Sequence, residues 1–510
     1  MFVKLNWTSL KSPKVLILTF MLGATLVTLT GAIFLFRTFS SGESPLKGSS
    51  KIAGEVIREV LAISLDEEKM NGFLKFERHL SAALKADTDR NYEKGHDEWA
   101  EAVNEAKKAL GDKSIIATFA SYSQGEFEYS FSRYDLAVAP LRKALDGLAD
   151  YPNESITFSV RERLSNLLQI SKKFDQALPL LTANLDAADV LDKETGEGTV
   201  DYKIRALDDL ITYHYRMNKY DLVDSVYDQE LAAVNSLPDA KKMSISVLRK
   251  KAETYEYVDP AKAESAYQAA IGQDPSMVEN RRRFAMFLRN SGKLDRALEQ
   301  FNKVIALDPK NDLAFDGRGQ TYILKGQLEN GIADATISIE LEPANPHHYE
   351  TRARAYAAKK DYERAISDLS DSYKRQADIT VLARRAALYV ECGKYQEALA
   401  DYDKAMSSFP PPNCVIERAA VYQKLGQYDK AVADYSKRIE LERKNPLLAY
   451  GQLHAAPHPE YAKRPALAAE LDMRASAYEG LKQKDLAKKD RDEAQRIDAV
   501  GLPKKDKAFR

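Results

Sequence analysis

The sequence predicts an all-α protein: an α-solenoid (superhelix) of stacked helix-turn-helix units, with one N-terminal transmembrane helix. The solenoid is predicted by a pattern, Tyr-x-x-x-Gly-x-[Leu/Tyr]-x-x-Ala, which recurs about every 34 residues from Tyr322, Tyr389 and Tyr422 onwards. A fixed period of this length is typical of units that stack on their neighbours, because one unit alone cannot bury its apolar face. The transmembrane helix is predicted by a run of 22 uncharged residues, 15–36.

Each unit carries small residues at two fixed places, one in each predicted helix. The first helix has a small residue three positions before an aromatic one, as in Ala386 and Tyr389, and the second has one such as Ala398. Small residues let two antiparallel helices approach closely. The second-helix positions are Ala263, Ala297, Gly331, Ala365, Ala398 and Ala431, at steps of 34, 34, 34, 33 and 33.

These small and aromatic positions, with a proline after several second helices (Pro275, Pro309, Pro343 and Pro410), resemble the tetratricopeptide repeat (TPR). Upstream, the same second-helix position falls on Ala102, Ala137, Ala177 and Val223, at longer steps of 35, 40 and 46. Downstream, the last such position is Ala487, after a step of 56. We therefore expect about eleven TPR-like repeats. The expected segments are a short N-terminal segment (1–14), the transmembrane helix (15–36), a flexible linker (37–50), degenerate repeats (51–243), a regular array (244–446), an insertion loop (447–467), a terminal helix pair (468–499) and a basic tail (500–510).

The uncharged run has three interpretations. As a helix it is roughly 33 Å long, enough to cross the hydrocarbon core of a bilayer. We favour an uncleaved signal-anchor over a cleaved signal peptide or a buried soluble helix, because the run is long and continues into Phe34-Leu35-Phe36-Arg37. Lysines precede it at positions 4, 11 and 14, so the positive-inside rule leans towards an extracytoplasmic C-terminal domain on a single-pass membrane protein.

Composition narrows the possible partners. The 75 basic and 76 acidic residues leave a formal charge of −1, which predicts no net attraction to nucleic acid. Cys392 and Cys414 are the only cysteines, too few for a disulfide framework or a thiolate metal site. His454, His458 and Glu460 lie close in sequence, but Pro457 and Pro459 interrupt the helix that would align them as metal ligands.

Five units place an Arg before the first-helix small residue and an Asp sixteen positions later. A spacing that crosses one short turn brings the two helices of a unit side by side, so we interpret the residues as structural ion pairs. The alternative is a row of arginines offered to an acidic ligand. The pairs are Arg318/Asp334, Arg352/Asp368, Arg385/Asp401, Arg418/Asp434 and Arg474/Asp490.

The TPR resemblance implies that partners bind the concave face, which is built by outward positions of the first helices. These positions are Glu279, Arg282, Arg283, Met286, Arg289, Asn290, Asp316, Gln320, His347, Glu350, Arg354, Arg384, Glu391, Glu417, Gln423 and Lys424. The candidate partner-binding residues among them are Arg282, Arg283, Arg289, Gln320, Arg354, Arg384 and Lys424. An acidic peptide or carboxyl terminus is one hypothesis for the ligand, and a solvated helix face without a ligand is the other.

No catalytic motif is discernible: the sequence has no Gly-rich phosphate loop, zinc motif or Ser/His/Asp arrangement. We expect no enzymatic activity, cofactor, metal or small-molecule substrate. The sequence predicts a membrane-anchored TPR scaffold or adaptor, with the lipid bilayer and a protein or peptide as its partners. The alternative is a structural accessory subunit of a cell-envelope machine for secretion, pilus or polysaccharide assembly.

Overall fold

A computed structural model describes residues 67–150, 154–195, 200–237, 239–406, 413–444 and 466–500. Within these ranges the chain forms 22 helices and no strand, which confirms the predicted all-α class. The predicted transmembrane helix (15–36), the linker (37–50) and nearly all of the insertion loop and basic tail lie outside the described residues. None of the helices in the described ranges is both long and apolar enough to cross a membrane.

The described helices are, in chain order, α1 (Glu67–Thr88), α2 (Tyr92–Leu110), α3 (Ile115–Ser130), α4 (Tyr134–Leu148), α5 (Glu154–Ile170), α6 (Phe174–Thr195), α7 (Asp201–Arg216), α8 (Tyr220–Val234), α9 (Ala240–Tyr255), α10 (Pro260–Gln273), α11 (Val278–Asn290), α12 (Leu294–Leu307), α13 (Asp312–Leu324), α14 (Leu328–Leu341), α15 (Pro346–Ala358), α16 (Tyr362–Arg375), α17 (Ile379–Glu391), α18 (Tyr395–Ala405), α19 (Cys414–Lys424), α20 (Tyr428–Lys444), α21 (Ala466–Gly480) and α22 (Lys484–Val500). Among the described helices, ten consecutive pairs pack side by side and antiparallel, and α9 and α10 lie between the fourth and fifth of these pairs in the chain. The helices form two compact units, which meet in sequence between Lys251 and Ala252 of α9.

In the first unit each helix from α1 to α8 packs on its neighbours in the chain. The small second-helix residues Ala102, Ala137 and Ala177 are fully buried, as is Val223 at the same place in α8. Aromatic side chains fill the spaces between pairs: the rings of Phe158 on α5 and Tyr202 on α7 meet edge to face, 5.0 Å apart. The unevenly spaced repeats of the first unit therefore form helix pairs of the same kind as the evenly spaced repeats of the second unit.

The second unit repeats this packing with glycine at its closest approach. Ala263, Ala297, Ala365 and Ala398 are fully buried. In the α13/α14 pair a Cβ built on Gly331 would come within 2.7 Å of the Ile323 side chain and 3.2 Å of the Gly319 carbonyl oxygen. Any larger residue at position 331 would force these two helices apart.

The turn inside each of the ten packed pairs uses a left-handed residue two positions before the second helix. It is glycine at Gly326, Gly393 and Gly426, with φ of 76°, 70° and 71°. In the first unit the same place is taken by Ser132, Lys172, Asn218 and Arg90, with φ between 53° and 60°. The following amide then bonds back into the first helix, as Lys394 N donates to the Tyr389 carbonyl at 2.8 Å.

Candidate functional site

Each of the five arginines donates two parallel hydrogen bonds to the aspartate sixteen residues later. In the α13/α14 pair, Arg318 Nε donates to Asp334 Oδ2 at 2.7 Å and Nη2 donates to Oδ1 at 2.8 Å. Arg352, Arg385, Arg418 and Arg474 pair in the same way with Asp368, Asp401, Asp434 and Asp490. The carboxylate raises the pKa of each arginine, and the pair locks the two helices of one repeat together.

The same five guanidinium groups also bond to the preceding repeat. Arg318 Nη1 donates to Asn302 Oδ1 at 2.7 Å, and Arg418 Nη1 donates to Asp403 Oδ1 at 2.7 Å. The corresponding acceptors of Arg352, Arg385 and Arg474 are the hydroxyl groups of Thr336, Ser370 and Ser436. These arginines therefore join successive repeats, and their donors point into the stack instead of towards a ligand.

The first-helix face of the second unit consists of the sixteen positions named above, on α11, α13, α15, α17 and α19. At its α11 end, Arg282 donates from Nε and Nη2 to the Glu279 carboxylate, at 2.9 Å each. Arg283 donates to Glu279 Oε1 at 2.6 Å and to Glu253 Oε1 at 2.7 Å. These two arginines therefore have carboxylate partners within the fold.

Further along the face the cations Arg384 and Lys424 also have partners. Arg384 on α17 pairs with Glu350 on α15, which joins two successive first helices. The ammonium of Lys424 lies 5.6 Å from the centre of the Tyr395 ring, a cation–π distance. Both side chains are exposed, but their charges are already engaged by neighbouring groups.

Arg289 is held by neutral groups. Its Nη1 donates to Gln320 Oε1 at 2.8 Å, and Nε and Nη2 each lie 3.3 Å from Asn290 Oδ1. Burial lowers the pKa of Arg289, and Arg354 lowers it further, against the opposing attraction of Asp316. Arg354 is exposed on α15, so two repelling guanidinium groups share this part of the face.

The amide of Gln320 ties three first helices together. Its Nε2 donates to Asp316 Oδ2 on α13 at 2.7 Å and to Thr351 Oγ1 on α15 at 3.2 Å. Because the same amide accepts from Arg289 on α11, the orientation of that guanidinium is set by α13 and α15. Gln320 is therefore a positioning residue in the middle of the face.

Beneath this amide, His348 lies fully buried between two carboxylates. Its Nε2 is 2.9 Å from Asp312 Oδ2 and its Nδ1 is 3.5 Å from Asp316 Oδ1. Burial disfavours the imidazolium, but Asp316 and Asp312 outweigh burial and raise the pKa of His348. Sequence reasoning did not identify this histidine, since neither separation recurs in the other repeats.

Two positions of the first-helix face take part in helix packing. Burial raises the pKa of Glu417 to about 7 against a hydrogen bond from Tyr402, so the neutral and the charged form of this side chain are both populated near neutral pH. Gln423 accepts from the Tyr435 hydroxyl at 2.9 Å and donates to the Met473 carbonyl at 3.4 Å. Of the three positions of the face on α19, only Lys424 is therefore exposed.

The first unit has a row of ion pairs between its own first helices. Arg163 on α5 donates two hydrogen bonds to Glu126 on α3. Arg205 on α7 donates two hydrogen bonds to Glu162 on α5. Lys250 on α9 continues the row by pairing with Asp208 on α7. Sequence reasoning missed these pairs, because their separations of 37, 43 and 42 residues share no common spacing.

Within the described ranges no cluster of three or more His, Cys, Asp or Glu side chains could hold a metal ion. His454, His458 and Glu460 lie outside these ranges. Cys392 and Cys414 are free, and Cys414 is buried. The first-helix face thus offers hydrogen bonds and charge for non-covalent binding.

Family comparison identifies the helix pairs. Residues 259–312 match one tetratricopeptide repeat family, and residues 379–411 and 416–445 match a second family with the same description. The chain contains TPR repeats. Such repeats generally bind protein or peptide partners and serve as scaffolds. None of the curated proteins matches the chain.

Several solved TPR structures are similar to part of this chain. A tetratricopeptide repeat protein from Parabacteroides merdae is 20% identical, with 51% of this chain and 94% of that chain covered and a TM-score of 0.35. PilF of Pseudomonas aeruginosa is 16% identical, covering 41% and 95%, with a TM-score of 0.35. YrrB, described as a TPR protein with an unusual peptide-binding site, is 18% identical, covering 36% and 96%, with a TM-score of 0.31.

Proposed function

We propose that this protein is a membrane-anchored, non-catalytic adaptor that holds a protein or peptide partner on the first-helix face of its second unit. The observation that carries the proposal is that the arginines of the second unit fall into two groups, one bonded inside the repeat stack and one on the first-helix face. Arg318, Arg352, Arg385 and Arg418 form their bonds within the repeat stack, whereas Arg289, Arg354 and Arg384 lie on the first-helix face, where the side chains of Arg354 and Arg384 are exposed. A rigid frame with polar groups on consecutive helices is well suited to hold an extended segment.

Site-specific photo-crosslinking tests the face. A benzoylphenylalanine replaces His347, whose side chain is 68% exposed on α15, or Lys303, which is 49% exposed on the second helix α12. We expect irradiation of cell membranes to give an adduct of defined size from position 347 and none from position 303. Adducts from position 303 alone, or equally from both positions, would contradict the assignment of the face.

The membrane anchor rests on the uncharged run 15–36. The full chain should remain in the membrane pellet after alkaline carbonate extraction, while a variant without residues 1–36 should be released. Added protease should then digest the C-terminal units only from the extracytoplasmic side. Release of the full chain by carbonate would argue against the anchor, and digestion from the cytoplasmic side would reverse the proposed orientation.

The alternative, an accessory subunit of an envelope machine, predicts a large apolar patch on the outside of the stack. The large apolar side chains exposed within the described ranges are spread along the chain, from Ile170 and Val190 to Leu441 and Leu486. Single exposed apolar residues are normal for a protein surface. Because nothing in these ranges favours the alternative, we retain the adaptor.

A further inference from the structure

We propose that Arg289 and Arg354 form an anion-binding position on the first-helix face, and that its ligand is a carboxylate side chain of an acidic peptide segment. The inference rests on the proposed function, because it names the chemistry of the partner that this face would hold. It also divides the seven candidate residues of the sequence into those with internal partners and those available to a ligand.

Charge compensation distinguishes these two arginines from their neighbours. Arg282 and Arg283 bind Glu279, and Arg384 binds Glu350. Arg289 bonds only to amide oxygens, and within the described ranges Arg354 has no ion pair or hydrogen bond. A guanidinium forms its strongest hydrogen bonds with a carboxylate or phosphate, so these are the two sites on the face where an added anion gains most.

The position is also pre-organised. The Gln320 amide fixes one nitrogen of Arg289, and Asp316 and Thr351 fix that amide in turn. Burial, and after it the repulsion by Arg354, lowers the pKa of Arg289, and an anion between the two guanidinium groups would relieve that repulsion. Part of the ordering cost of binding is therefore met within the fold before a ligand arrives.

The acidic neighbours indicate why the ligand is a carboxylate peptide. Asp316 and Glu350 lie on the same face, so a polyanion of high charge density such as nucleic acid would meet repulsion on either side of the position. A glutamate-rich peptide is flexible, so one carboxylate can enter the position while the others turn towards solvent, and the neutral backbone can face the remaining polar groups. Asn290 is exposed next to Arg289, where it could bond to such a backbone.

The test is a titration of the full chain in detergent with fluorescein-labelled, C-amidated hexaglutamate, followed by anisotropy. Hexaglutamine and a hexapeptide of phosphoserine and glycine are the comparison ligands. We expect hexaglutamate to bind more tightly than either, and Arg289→Gln and Arg354→Gln each to weaken it by about tenfold or more, as expected for a lost charged hydrogen bond. Arg296→Gln is the matched control, since Arg296 on α12 has the same charge but pairs with Glu264.

Four results would overturn the inference: no binding of hexaglutamate, tighter binding of the phosphopeptide, unchanged affinity in both variants, or an equal loss in Arg296→Gln. Arg354 is exposed, so its variant tests the position even if Arg289→Gln fails to fold. The crosslink at position 347 separates the two proposals. If the double variant Arg289→Gln/Arg354→Gln still gives the adduct from position 347, the adaptor proposal is supported and the anion-binding position is contradicted. If the chain with both arginines intact gives no adduct from position 347, the adaptor proposal itself is contradicted.

Discussion

Arg385 on α17 donates two hydrogen bonds to Asp401 on α18, each 2.7 Å long, and a third of 2.9 Å to Ser370 on α16. One side chain therefore joins both helices of its own repeat to the repeat before it. The arrangement recurs at Arg474, which reaches Ser436 at 3.0 Å although 38 residues separate the two. The extra residues before α21 thus leave the contact between α20 and α21 intact.

Reversing the pair tests this arrangement. The side chains of Arg385 and Asp401 are only 17% and 10% exposed, so Arg385→Asp or Asp401→Arg alone should leave a like-charge pair and cost roughly 3 kcal/mol or more. The double variant should recover part of the loss, with a coupling free energy of about 1–3 kcal/mol. Recovery should be incomplete, because an aspartate at position 385 has no guanidinium to donate to Ser370.

The measurement is the free energy of unfolding from urea titrations of the full chain. Hydrogen exchange reports whether the helices of the second unit stay folded. If the double variant is as unstable as the sum of the two single variants, the ion pair does not hold the helices together. The pair Lys303 and Glu299, whose side chains are 49% and 58% exposed within one turn of α12, is the control and should show a coupling near zero.

Glu417 should destabilise the second unit at alkaline pH. Burial raises its pKa to about 7 in the folded chain, so the folded state holds its proton more tightly than the unfolded state. Stability is therefore lost as pH rises from the ordinary carboxyl pKa through about 7. Glu417→Gln, which can still accept from Tyr402, should raise the thermal midpoint at pH 8 and leave it nearly unchanged at pH 4.5. The exposed Glu391→Gln should change neither; a pH-independent effect of Glu417→Gln would contradict the assignment.

His348 should contribute most to the free energy of unfolding at pH values below its own pKa. Because the folded-state pKa is raised, the contribution is fully present below the ordinary histidine pKa of 6.5 and is lost as pH rises through the folded value. His348→Gln should thus lower the thermal midpoint more at pH 5.5 than at pH 9. The neighbouring, exposed His347→Gln supplies the control. Equal losses at the two pH values would show that His348 acts through packing alone.

The two cysteines should differ in reactivity. Cys414 is almost completely buried and burial raises the pKa of its thiol to about 12, while Cys392 is partly exposed. Since the thiolate is the nucleophile, iodoacetamide at pH 8 should alkylate Cys392 in the folded chain and both cysteines after denaturation. Mass spectrometry of tryptic peptides checks this, and Cys392→Ser should leave the folded chain unlabelled. Rapid labelling of Cys414 would indicate that α19 opens easily.

The repeat frame could be predicted in detail where glycine marks the turn. Gly326, Gly393 and Gly426 adopt positive φ, and glycine is the residue that does so without strain. In the first unit Ser132, Lys172 and Asn218 adopt the same conformation at a cost of roughly 1 kcal/mol each. The backbone repeats there although its sequence signal does not, which is why the upstream pattern faded in the sequence.

Ion pairs between side chains could be predicted from the sequence only where the number of residues between the two partners is the same in every repeat. The sixteen-residue interval between Arg and Asp depends on a single short turn, so it recurs and can be recognised. Pairs between successive first helices span a whole repeat, and in the first unit the repeats differ in length. The contrast between Arg289, held by Gln320, and Arg282, held by Glu279, depends on rotamers that no sequence pattern specifies.

Hydrogen exchange of the full chain with and without saturating hexaglutamate tests most directly whether the first-helix face binds an acidic partner. The account predicts slower exchange in residues 278–290, 312–324 and 346–358, which form α11, α13 and α15, with α12 and α14 unchanged. Protection confined to residues 294–307 and 328–341, or to the first unit, would contradict it.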